Sequence, residues 1–488
     1  MLHYWGNGQM TAADQPARRR GRAKNRRQTG RLPRNQPDSE LTIDRLGGRG
    51  DGIGRALVKT GPVAAEETLI VPAALPGERV RVRPLQRGPS GIRAELLELL
   101  DSSADRVEPD CPHFPDCGGC QLRHMTEAAY QAWKIGQLDR LLAKAGLEAR
   151  QTRPPFFAGP QSRRRVRLAA RQLARGLVLG FQQRFSNHII EPVSCRILHP
   201  QLARLLGPLA GMAAAILDIG QQAEIQVNLL QEGADVLLLA EQGVPAKQLA
   251  ALPEMAAAAG LARLSISHPA SNGQDQLPTT LYAPQPPSLC WASAAGSPLC
   301  VTPPAGAFLQ ASLEAEQMMQ KEIAGWLDGA DNIADLFSGC GTLSLPLLAS
   351  GRRILAVDLP GPSLQALQQA ANQAGLGTQL QTKARDLEAA PLQADELAGF
   401  QAVIMDPPRS GAGKQAAELA RSAVPKIMMV SCNPHSFVRD AGLLADAGYV
   451  FDWVKLIDQF DRASHSEVLA GFSWPEQLAG SRKSGILI

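Results

Sequence analysis

The C-terminal part of the chain alternates short apolar runs with longer stretches of helical periodicity. Four of the apolar runs have the length and composition of buried strands, and they span 333–336, 353–357, 402–405 and 426–430. Because helical segments separate these runs, the pattern predicts a doubly wound α/β domain with a parallel sheet over residues 306–488. Ligands of such sheets bind at the carboxyl ends of the strands, where the motifs described below fall.

Residues 40–100 show a different pattern, in which short apolar runs are separated by turns rich in Gly and Pro. This punctuation predicts a small β domain of the OB-barrel type. Arg79, Arg81 and Arg83 alternate along one predicted strand and therefore share one of its faces. That face either is simply solvated or contacts RNA.

Residues 101–305 combine helical and strand patterns and predict an α+β region. A helix is predicted over 127–145, and strands over 166–170, 177–181, 224–230 and 234–239. Residues 268–305 are rich in Pro, Ser and Ala, which is typical of a connection composed mainly of loops.

Length and charge narrow the class of protein. A chain of 488 residues, 44% of them apolar, is long enough for two to four packed domains. It contains no run of about 18 apolar residues and no apolar signal-peptide core before the basic run 18–27, so we expect a cytoplasmic protein without a membrane span. Residues 1–39 carry a net charge of +7 and the remainder about −3. We expect this basic tail to be disordered, and it either contacts RNA or only improves solubility.

Three of the eight cysteines lie close together in sequence, at Cys111, Cys117 and Cys120. In a cytosolic protein such clustering favours a metal site over disulfides. Cys195 supplies a fourth thiol. By ligand count, four thiolates suit zinc and an iron–sulfur cluster equally, and His113 or His124 could complete a zinc site.

Polar and glycine-rich motifs follow the predicted strands of the C-terminal domain. The loop 335–341 contains Gly339 and Gly341, which let the backbone approach a ligand closely, and Asp358 ends the next strand, where an acid suits a ribose diol. Asp406-Pro407-Pro408-Arg409 closes a third strand, and the two prolines present the Asp406 carboxylate rigidly.

Two further residues are candidates for chemistry. Cys432 follows a strand in Ser431-Cys432-Asn433-Pro434. A lone cysteine is commonly a buried structural residue, but its position at a strand end favours a reactive thiol. Glu467 lies in His465-Ser466-Glu467, and by pattern alone it resembles an ordinary surface acid.

The chain resembles the RNA uracil-5-methyltransferase family, and most closely the branch with an N-terminal TRAM barrel and a 4Fe-4S cluster, as in the 23S ribosomal RNA enzyme. The resemblance covers residues 40–488. It depends on the order of the motifs along the chain, which is the barrel, the cysteine set, Phe308-Leu309-Gln310, the glycine-rich loop, Asp406-Pro407-Pro408-Arg409, Ser431-Cys432-Asn433-Pro434 and His465-Ser466-Glu467.

The resemblance implies a division into a tail (1–39), an RNA-binding TRAM barrel (40–100), a central domain with the iron–sulfur cluster (101–305) and a Rossmann-like class I methyltransferase domain (306–488). It implies cluster ligation by Cys111, Cys117, Cys120 and Cys195. Residues implied to bind S-adenosylmethionine are Gln310, Phe337, Thr342, Asp358, Asp386 and Asp406. The family pattern more often has Asn in place of Thr342, Cys in place of Ser338, Glu in place of Asp358 and Asn in place of Ser312.

The resemblance also implies a reaction. The Cys432 thiolate adds to C6 of uracil, which makes C5 nucleophilic toward the methyl donor, and Glu467 then removes the C5 proton. Phe308 is implied to stack the target base. Ribosomal RNA is the expected substrate, with transfer RNA as the alternative, and we expect a monomer. An alternative hypothesis, from another functional class, is a non-catalytic RNA-binding or redox-sensing iron–sulfur protein, which would need neither Cys432 nor Glu467.

Overall fold

The structure is a computed structural model that describes residues 30–33, 36–59, 64–268, 277–293, 296–359 and 361–475. The chain divides into two compact units, the first ending at Arg106 and the second beginning at Val107. The basic run 18–27 lies outside the described residues. The boundary drawn at residue 305 stays a prediction.

In the first unit, strands β2 to β6 form a barrel in the order β5-β2-β3-β4-β6, which is closed by pairing of β6 with β5. The short strand β1 also pairs with β5. Alternate side chains such as Leu41, Ile43, Val80 and Val82 fill the barrel interior. This barrel is consistent with the predicted OB type. The strands are β1 (Gly30–Arg31), β2 (Ser39–Leu46), β3 (Gly52–Val58), β4 (Ala65–Val71), β5 (Arg79–Gly88) and β6 (Gly91–Asp101).

The three alternating arginines of β5 are paired with acids on neighbouring strands. Arg79 Nε lies 2.8 Å from Asp101 Oδ2, and Arg81 Nη2 lies 3.0 Å from Glu40 Oε1. Arg83 is likewise paired with an aspartate beside β2. Because carboxylates compensate these charges, the observation favours the solvated face over the RNA-contacting alternative.

The second unit contains a mixed sheet in the order β11-β10-β9-β12-β13-β14-β15, in which only β13 and β14 pair in parallel within the described residues. Helices α3 and α5 pack on one face of it. The four strands predicted between 166 and 239 are confirmed. The elements are β9 (Arg165–Leu173), β10 (Gly176–Gln182), β11 (Ile189–Ile190), α2 (Pro200–Arg204), α3 (Leu206–Ile216), β12 (Gln222–Leu230), β13 (Gly233–Ala240), α4 (Ala246–Leu249), α5 (Leu252–Ala258), β14 (Arg263–Ser267) and β15 (Thr279–Tyr282).

A hairpin of β16 (Leu289–Trp291) and β17 (Leu299–Val301) follows the mixed sheet. Cys290 and Cys300 face each other across the hairpin and form a disulfide. Sequence analysis did not single out this pair, because residues ten apart meet only when the register of the hairpin is known.

The C-terminal sheet has the order β20-β19-β18-β21-β22-β24-β23-β7, and β8 also pairs with β23. The α/β architecture is confirmed, but the sheet is mixed rather than parallel, because β24 runs antiparallel to both neighbours. The connection 459–466 is shorter than the dozen or so residues that a parallel crossover needs. Residues 151–157 also join this sheet, although they precede the predicted domain.

Helices cover both faces of this sheet, as expected for a doubly wound fold. Helices α6, α7 and α8 pack on one face, and α1, α10 and α11 pack on the other. The elements are α1 (Glu127–Lys144), β7 (Gln151–Thr152), β8 (Phe156–Phe157), α6 (Leu313–Trp326), β18 (Asn332–Leu336), α7 (Leu345–Ala349), β19 (Arg353–Asp358), α8 (Pro362–Gln373), β20 (Leu380–Ala384), α9 (Ala394–Leu397), β21 (Ala402–Met405), α10 (Gly413–Ser422), β22 (Lys426–Ser431), α11 (Pro434–Asp446), β23 (Val450–Asp458) and β24 (Glu467–Ser473). No helix in the described part of the chain is long and apolar enough to cross a membrane.

A buried ion pair attaches helix α1 to the end of β23. Lys134 Nζ lies 3.2 Å from Asp458 Oδ1, and both side chains are only 1% exposed. Lys134 Nζ also donates to Ser466 Oγ at 3.2 Å and to the carbonyl oxygen of His465. The Tyr130 hydroxyl donates to the same carboxylate. The pair therefore holds both ends of the connection between β23 and β24.

We predict that Lys134→Met lowers the free energy of unfolding by about 3–5 kcal/mol, because Asp458 would remain buried without its counter-charge. The exposed Lys144, on the last turn of the same helix, provides the control: Lys144→Met should cost less than about 1 kcal/mol. Urea titration of both variants measures the difference. Equal losses in the two variants would contradict a stabilising role for the ion pair.

Candidate active site

The glycine-rich loop turns sharply after β18. Phe337, Gly339 and Gly341 all have positive φ, at 62°, 54° and 74°. A Cβ on Gly341 would also lie only 3.0 Å from Leu367, so this position favours glycine on both grounds. Gly339 N donates to Asp358 Oδ2 at 2.6 Å, which fixes the carboxylate at the end of β19 against the loop.

Buried acids lie beneath this loop. Burial, together with the charges of Asp406 and Asp358, raises the pKa of Asp335 to about 7. Burial also raises the pKa of Asp406 to about 7. Asp335 Oδ2 and Ser338 Oγ are buried and have no hydrogen-bond partner among the described residues. Such orphaned polar atoms, at the carboxyl end of β18, fit a site that receives a polar and cationic ligand.

Cys432 lies between the end of β22 and the first turn of α11. Asn433 caps this helix by accepting a hydrogen bond from His435 N at 3.1 Å. The Asn433 side chain also donates to the carbonyl oxygen of Arg409 at 3.0 Å, which joins the Asp406–Arg409 loop to the cysteine loop. Burial, and then the charges of Glu467 and Asp406, raise the pKa of the Cys432 thiol to about 12. The charge of Arg409 lowers this pKa but does not offset the burial.

Glu467 is the first residue of β24 and is only 3% exposed. Its neighbour Val468 pairs with Ser431, so strand pairing brings Glu467 beside Cys432. Burial, and then the charge of Asp406, raise the pKa of Glu467 to about 8. A carboxylate with a pKa near the working pH is suited to general-base catalysis.

A chain of amide hydrogen bonds connects Glu467 to Gln310. Gln459 Nε2 donates to Glu467 Oε1 at 3.0 Å and to Gln310 Oε1 at 2.7 Å. Gln310 Nε2 in turn lies 3.5 Å from Asp406 Oδ2. Gln310, Asp406, Cys432 and Glu467, predicted separately from sequence, thus share one site. Gln459 was not predicted from the sequence, in which its only distinguishing feature is a polar side chain directly after an apolar strand.

The remaining predicted residues surround this site less closely. Phe308 is 56% exposed, and Arg165 Cζ lies 4.3 Å from the centre of its ring. Thr342 is half-buried in the glycine-rich loop. Asp386 is exposed, and its Oδ1 accepts hydrogen bonds from the backbone N–H groups of Glu388 and Ala389, so its visible contacts are those of a turn. No contact joins Asp386 to the other predicted residues in the described part of the chain.

The four clustered cysteines form a separate site. Cys111, Cys117, Cys120 and Cys195 line one small cavity. A Cβ on Gly118 would lie 2.5 Å from a backbone oxygen, so only glycine allows this approach of the cysteine loop to β10. Burial raises the pKa of Cys120 to about 12. The described residues include no group of His, Cys, Asp and Glu side chains arranged to hold a single metal ion.

The two histidines considered for a zinc site have other partners. His113 lines the cavity, but its Nε2 accepts a hydrogen bond from Val193 N at 3.0 Å. The His124 ring stacks on Phe114, with 5.2 Å between ring centroids. Of these two histidines, His113 alone lines the cysteine cavity, and the hydrogen bond from Val193 N occupies its Nε2. This arrangement favours a site composed of thiols alone.

The cysteine loop is hydrogen-bonded to the segment that precedes Glu467. Gln121 N and Leu122 N both donate to the carbonyl oxygen of Arg462, at 2.8 and 3.0 Å. Ser464 N donates to Gln121 Oε1 at 3.0 Å, and Arg123 forms an ion pair with Asp461. These contacts attach the cysteine loop to the 461–464 segment, so the conformation of one segment depends on that of the other.

Comparison with known proteins identifies relatives of this arrangement. Residues 299–471 match the family model described as tRNA (uracil-5-)-methyltransferase. The fold resembles the structure of Pyrococcus abyssi tRNA (uracil-54, C5)-methyltransferase in complex with S-adenosyl-L-homocysteine, with a TM-score of 0.64 at 20% identity over 89% of this chain and 99% of that one. This likeness shows that the second unit contains a methyltransferase fold.

Two curated relatives extend over most of the chain. The chain is 35% identical to an uncharacterized RNA methyltransferase of Caulobacter vibrioides, over 89% of this chain and 99% of that protein. It is 31% identical to the 23S rRNA (uracil(1939)-C(5))-methyltransferase of Chromohalobacter salexigens, over 88% of this chain and 87% of that protein. The chain therefore belongs to the RNA uracil-5-methyltransferase family.

Proposed function

We propose that this protein methylates C5 of a uridine in RNA, with S-adenosylmethionine as the methyl donor. The observation that carries the proposal is the placement of Cys432 beside Glu467, a buried acid whose pKa is about 8. A thiol nucleophile and a separate base are the two groups needed to substitute a weakly nucleophilic ring carbon that bears a proton.

The cofactor residues are assigned to the loops at the carboxyl ends of β18, β19, β20 and β21, and to the segment before α6 that contains Gln310. When bound, S-adenosylmethionine supplies an electrophilic methyl group. The residues proposed to hold it are Gln310, Phe337, Thr342, Asp358, Asp386 and Asp406. The orphaned oxygens of Asp335 and Ser338 support a polar ligand here. Positive charge beside Asp406 and Glu467 favours the thiolate of Cys432, and a sulfonium carries such a charge.

The proposed reaction proceeds in three steps on the uracil ring. The Cys432 thiolate forms a bond to C6, and the electron pair of the C5–C6 double bond moves into an enolate that is nucleophilic at C5. C5 then forms a bond to the methyl group, whose bond to the sulfonium sulfur breaks, and the electron pair of that bond stays on the sulfur. The Glu467 carboxylate removes the C5 proton, the C5–C6 double bond re-forms, and the thiolate of Cys432 leaves C6.

Phe308 and Arg165 are proposed to receive the base. A uridine in folded RNA must leave its stack before C6 can reach a thiol. The exposed Phe308 ring, with the Arg165 guanidinium over it, offers a stacking surface two residues from Gln310. We infer that the target uracil stacks on this aromatic side chain.

Ribosomal RNA is the substrate that we propose. A 31% identical relative is named for a 23S rRNA uridine, whereas the transfer RNA names belong to a fold neighbour at 20% identity and to the family model that matches residues 299–471. We propose that the barrel is a TRAM-type RNA-binding module and that the protein acts in the cytoplasm as a monomer. The non-catalytic alternative would leave the adjacency of Cys432 and Glu467 without a role.

We further propose a 4Fe-4S cluster on Cys111, Cys117, Cys120 and Cys195. The four thiols line one cavity, in which His113 Nε2 is hydrogen-bonded to Val193 N, and four thiolates are the usual ligands of this cluster. The ligands of a cluster bind different iron atoms, so they need not converge on one point as zinc ligands do. Here the group would have a structural role, because its loop is bonded to the Arg462 backbone.

The thiol mechanism predicts a covalent complex with RNA that contains 5-fluorouridine. Fluorine at C5 blocks proton removal, so the methylated adduct on Cys432 should persist through denaturing electrophoresis. Cys432→Ala should abolish both the adduct and turnover. The double variant Cys290→Ser/Cys300→Ser, which keeps Cys432, should retain both. Methylation by the alanine variant would contradict the mechanism.

The substrate assignment predicts the location of the product. Mass spectrometry of RNA from a deletion strain should show loss of one or more 5-methyluridines from 23S ribosomal RNA, with transfer RNA unchanged. Re-expression of the wild-type chain, but not of Cys432→Ala, should restore them. Loss confined to transfer RNA would favour the alternative substrate instead.

The cluster assignment predicts about four irons per chain in anaerobically purified protein. Cys111→Ser should lower iron content and the brown charge-transfer absorbance, whereas Cys290→Ser/Cys300→Ser should leave both unchanged. Elemental analysis and visible absorbance measure the effect. Zinc in place of iron, without that absorbance, would contradict the assignment.

A further inference from the structure

Gln459 is a buried residue, 2% exposed, that directly follows β23. Its side-chain oxygen accepts hydrogen bonds from Ala311 N at 2.7 Å and Ser312 N at 3.4 Å. Its side-chain nitrogen donates to Glu467 Oε1 at 3.0 Å and Gln310 Oε1 at 2.7 Å. An amide has two donor hydrogens and two acceptor lone pairs, so all four are used.

The two backbone N–H groups determine which way this amide points. Backbone nitrogen can only donate, so the oxygen of Gln459 must face Ala311 and Ser312, and its NH2 group must face Glu467. For the same reason Gln310 presents its oxygen to Gln459. The donor and the acceptor of each hydrogen bond in this network, from the backbone through Gln459 to Glu467, are thus determined.

This arrangement restricts the Glu467 carboxylate. The terminal torsion of a glutamate is broad and otherwise weakly determined. A donor to Oε1 fixes the plane of the carboxylate and leaves Oε2 to accept a proton. We propose that Gln459 is a positioning residue that orients Glu467 for removal of the C5 proton and couples this base to Gln310 in the cofactor site. The inference depends on the proposed function.

The same hydrogen bond influences the ionisation of Glu467. Burial and the charge of Asp406 raise the pKa of Glu467, whereas donation from Gln459 lowers it. Cys432, after β22, is a further titratable group that interacts with this carboxylate. Loss of the donor should raise the pKa of Glu467, so the rising limb of the pH–rate profile should move to higher pH.

The first test compares Gln459→Met with a matched control, Gln415→Met. Gln415, in α10, is also fully buried. Its amide accepts a hydrogen bond from Leu392 N at 2.8 Å and donates one to the carbonyl oxygen of Leu392 at 3.1 Å, and Leu392 is not a site residue. Both variants lose a satisfied buried amide of equal size. Each is assayed for turnover on unmodified RNA and for adduct formation with 5-fluorouridine RNA, which needs no proton removal.

We expect Gln459→Met to lower the turnover number about 100-fold, which is within the range of general-base contributions. Adduct formation should remain within about three-fold of wild type, and the covalent intermediate should accumulate on unmodified RNA, because the C5 proton would be removed slowly. Gln415→Met should change both rates by less than about three-fold. Equal behaviour of the two variants, or a parallel fall of adduct and turnover in Gln459→Met, would overturn the inference.

Gln459→Glu provides a second test that does not depend on tolerance of an apolar side chain. It preserves the shape and the acceptor for Ala311 N and Ser312 N, but it places a second acid against Glu467. The rising limb of the turnover profile should shift upward by about one pH unit or more. An unshifted profile would show that Gln459 is only structural.

The result for the wild-type protein distinguishes a failure of the proposed function from a failure of the inference about Gln459. If it forms no adduct with 5-fluorouridine RNA, the proposed function fails, and the inference fails with it. If it forms the adduct and the Gln459 variants behave like Gln415→Met, only the inference fails.

Discussion

The site depends on the insertion of β24 between β22 and β23. In this antiparallel register Ser431 faces Val468, and Ile457 faces Glu467. A shift of one residue would turn Glu467 to the opposite face of the sheet, away from Cys432, because side chains alternate along a strand. The Lys134–Asp458 pair holds both ends of the β23–β24 connection, which makes such a shift costly. Catalytic geometry and the stability of the sheet therefore depend on the same strand pairing.

The site concentrates acidic groups where burial disfavours their charge. Asp335 and Asp406 have pKa values near 7, Glu467 has one near 8, and the Cys432 thiol has one near 12. Each shift raises the pKa, so the site in isolation favours protonated forms. A positive charge placed beside these groups would lower their pKa values again.

The sequence by itself determined the local elements and the residue types of the site. Apolar runs of four or five residues predicted the strands that became β18, β19, β21 and β22, because a strand buried on both faces reads as a continuous apolar run. Gly and Pro punctuation predicted the N-terminal barrel. Glycine positions in the 335–341 loop and the motif around Cys432 were visible because each requires particular residues in consecutive positions, whereas Glu467 by pattern alone resembled an ordinary surface acid. These signals are short-range, so one sequence suffices to read them.

Only the tertiary structure decided what the distant segments do together. The antiparallel β24 and the addition of residues 151–157 to the C-terminal sheet depend on pairing between segments far apart in the sequence. The disulfide of the β16–β17 hairpin depends on the register of that hairpin. Gln459 has its role only because Gln310, about 150 residues earlier, meets it in the folded chain. The coupling of the cysteine loop to Arg462 likewise joins segments some 340 residues apart. Side-chain hydrogen bonds are directional and short, so only the packed chain establishes them.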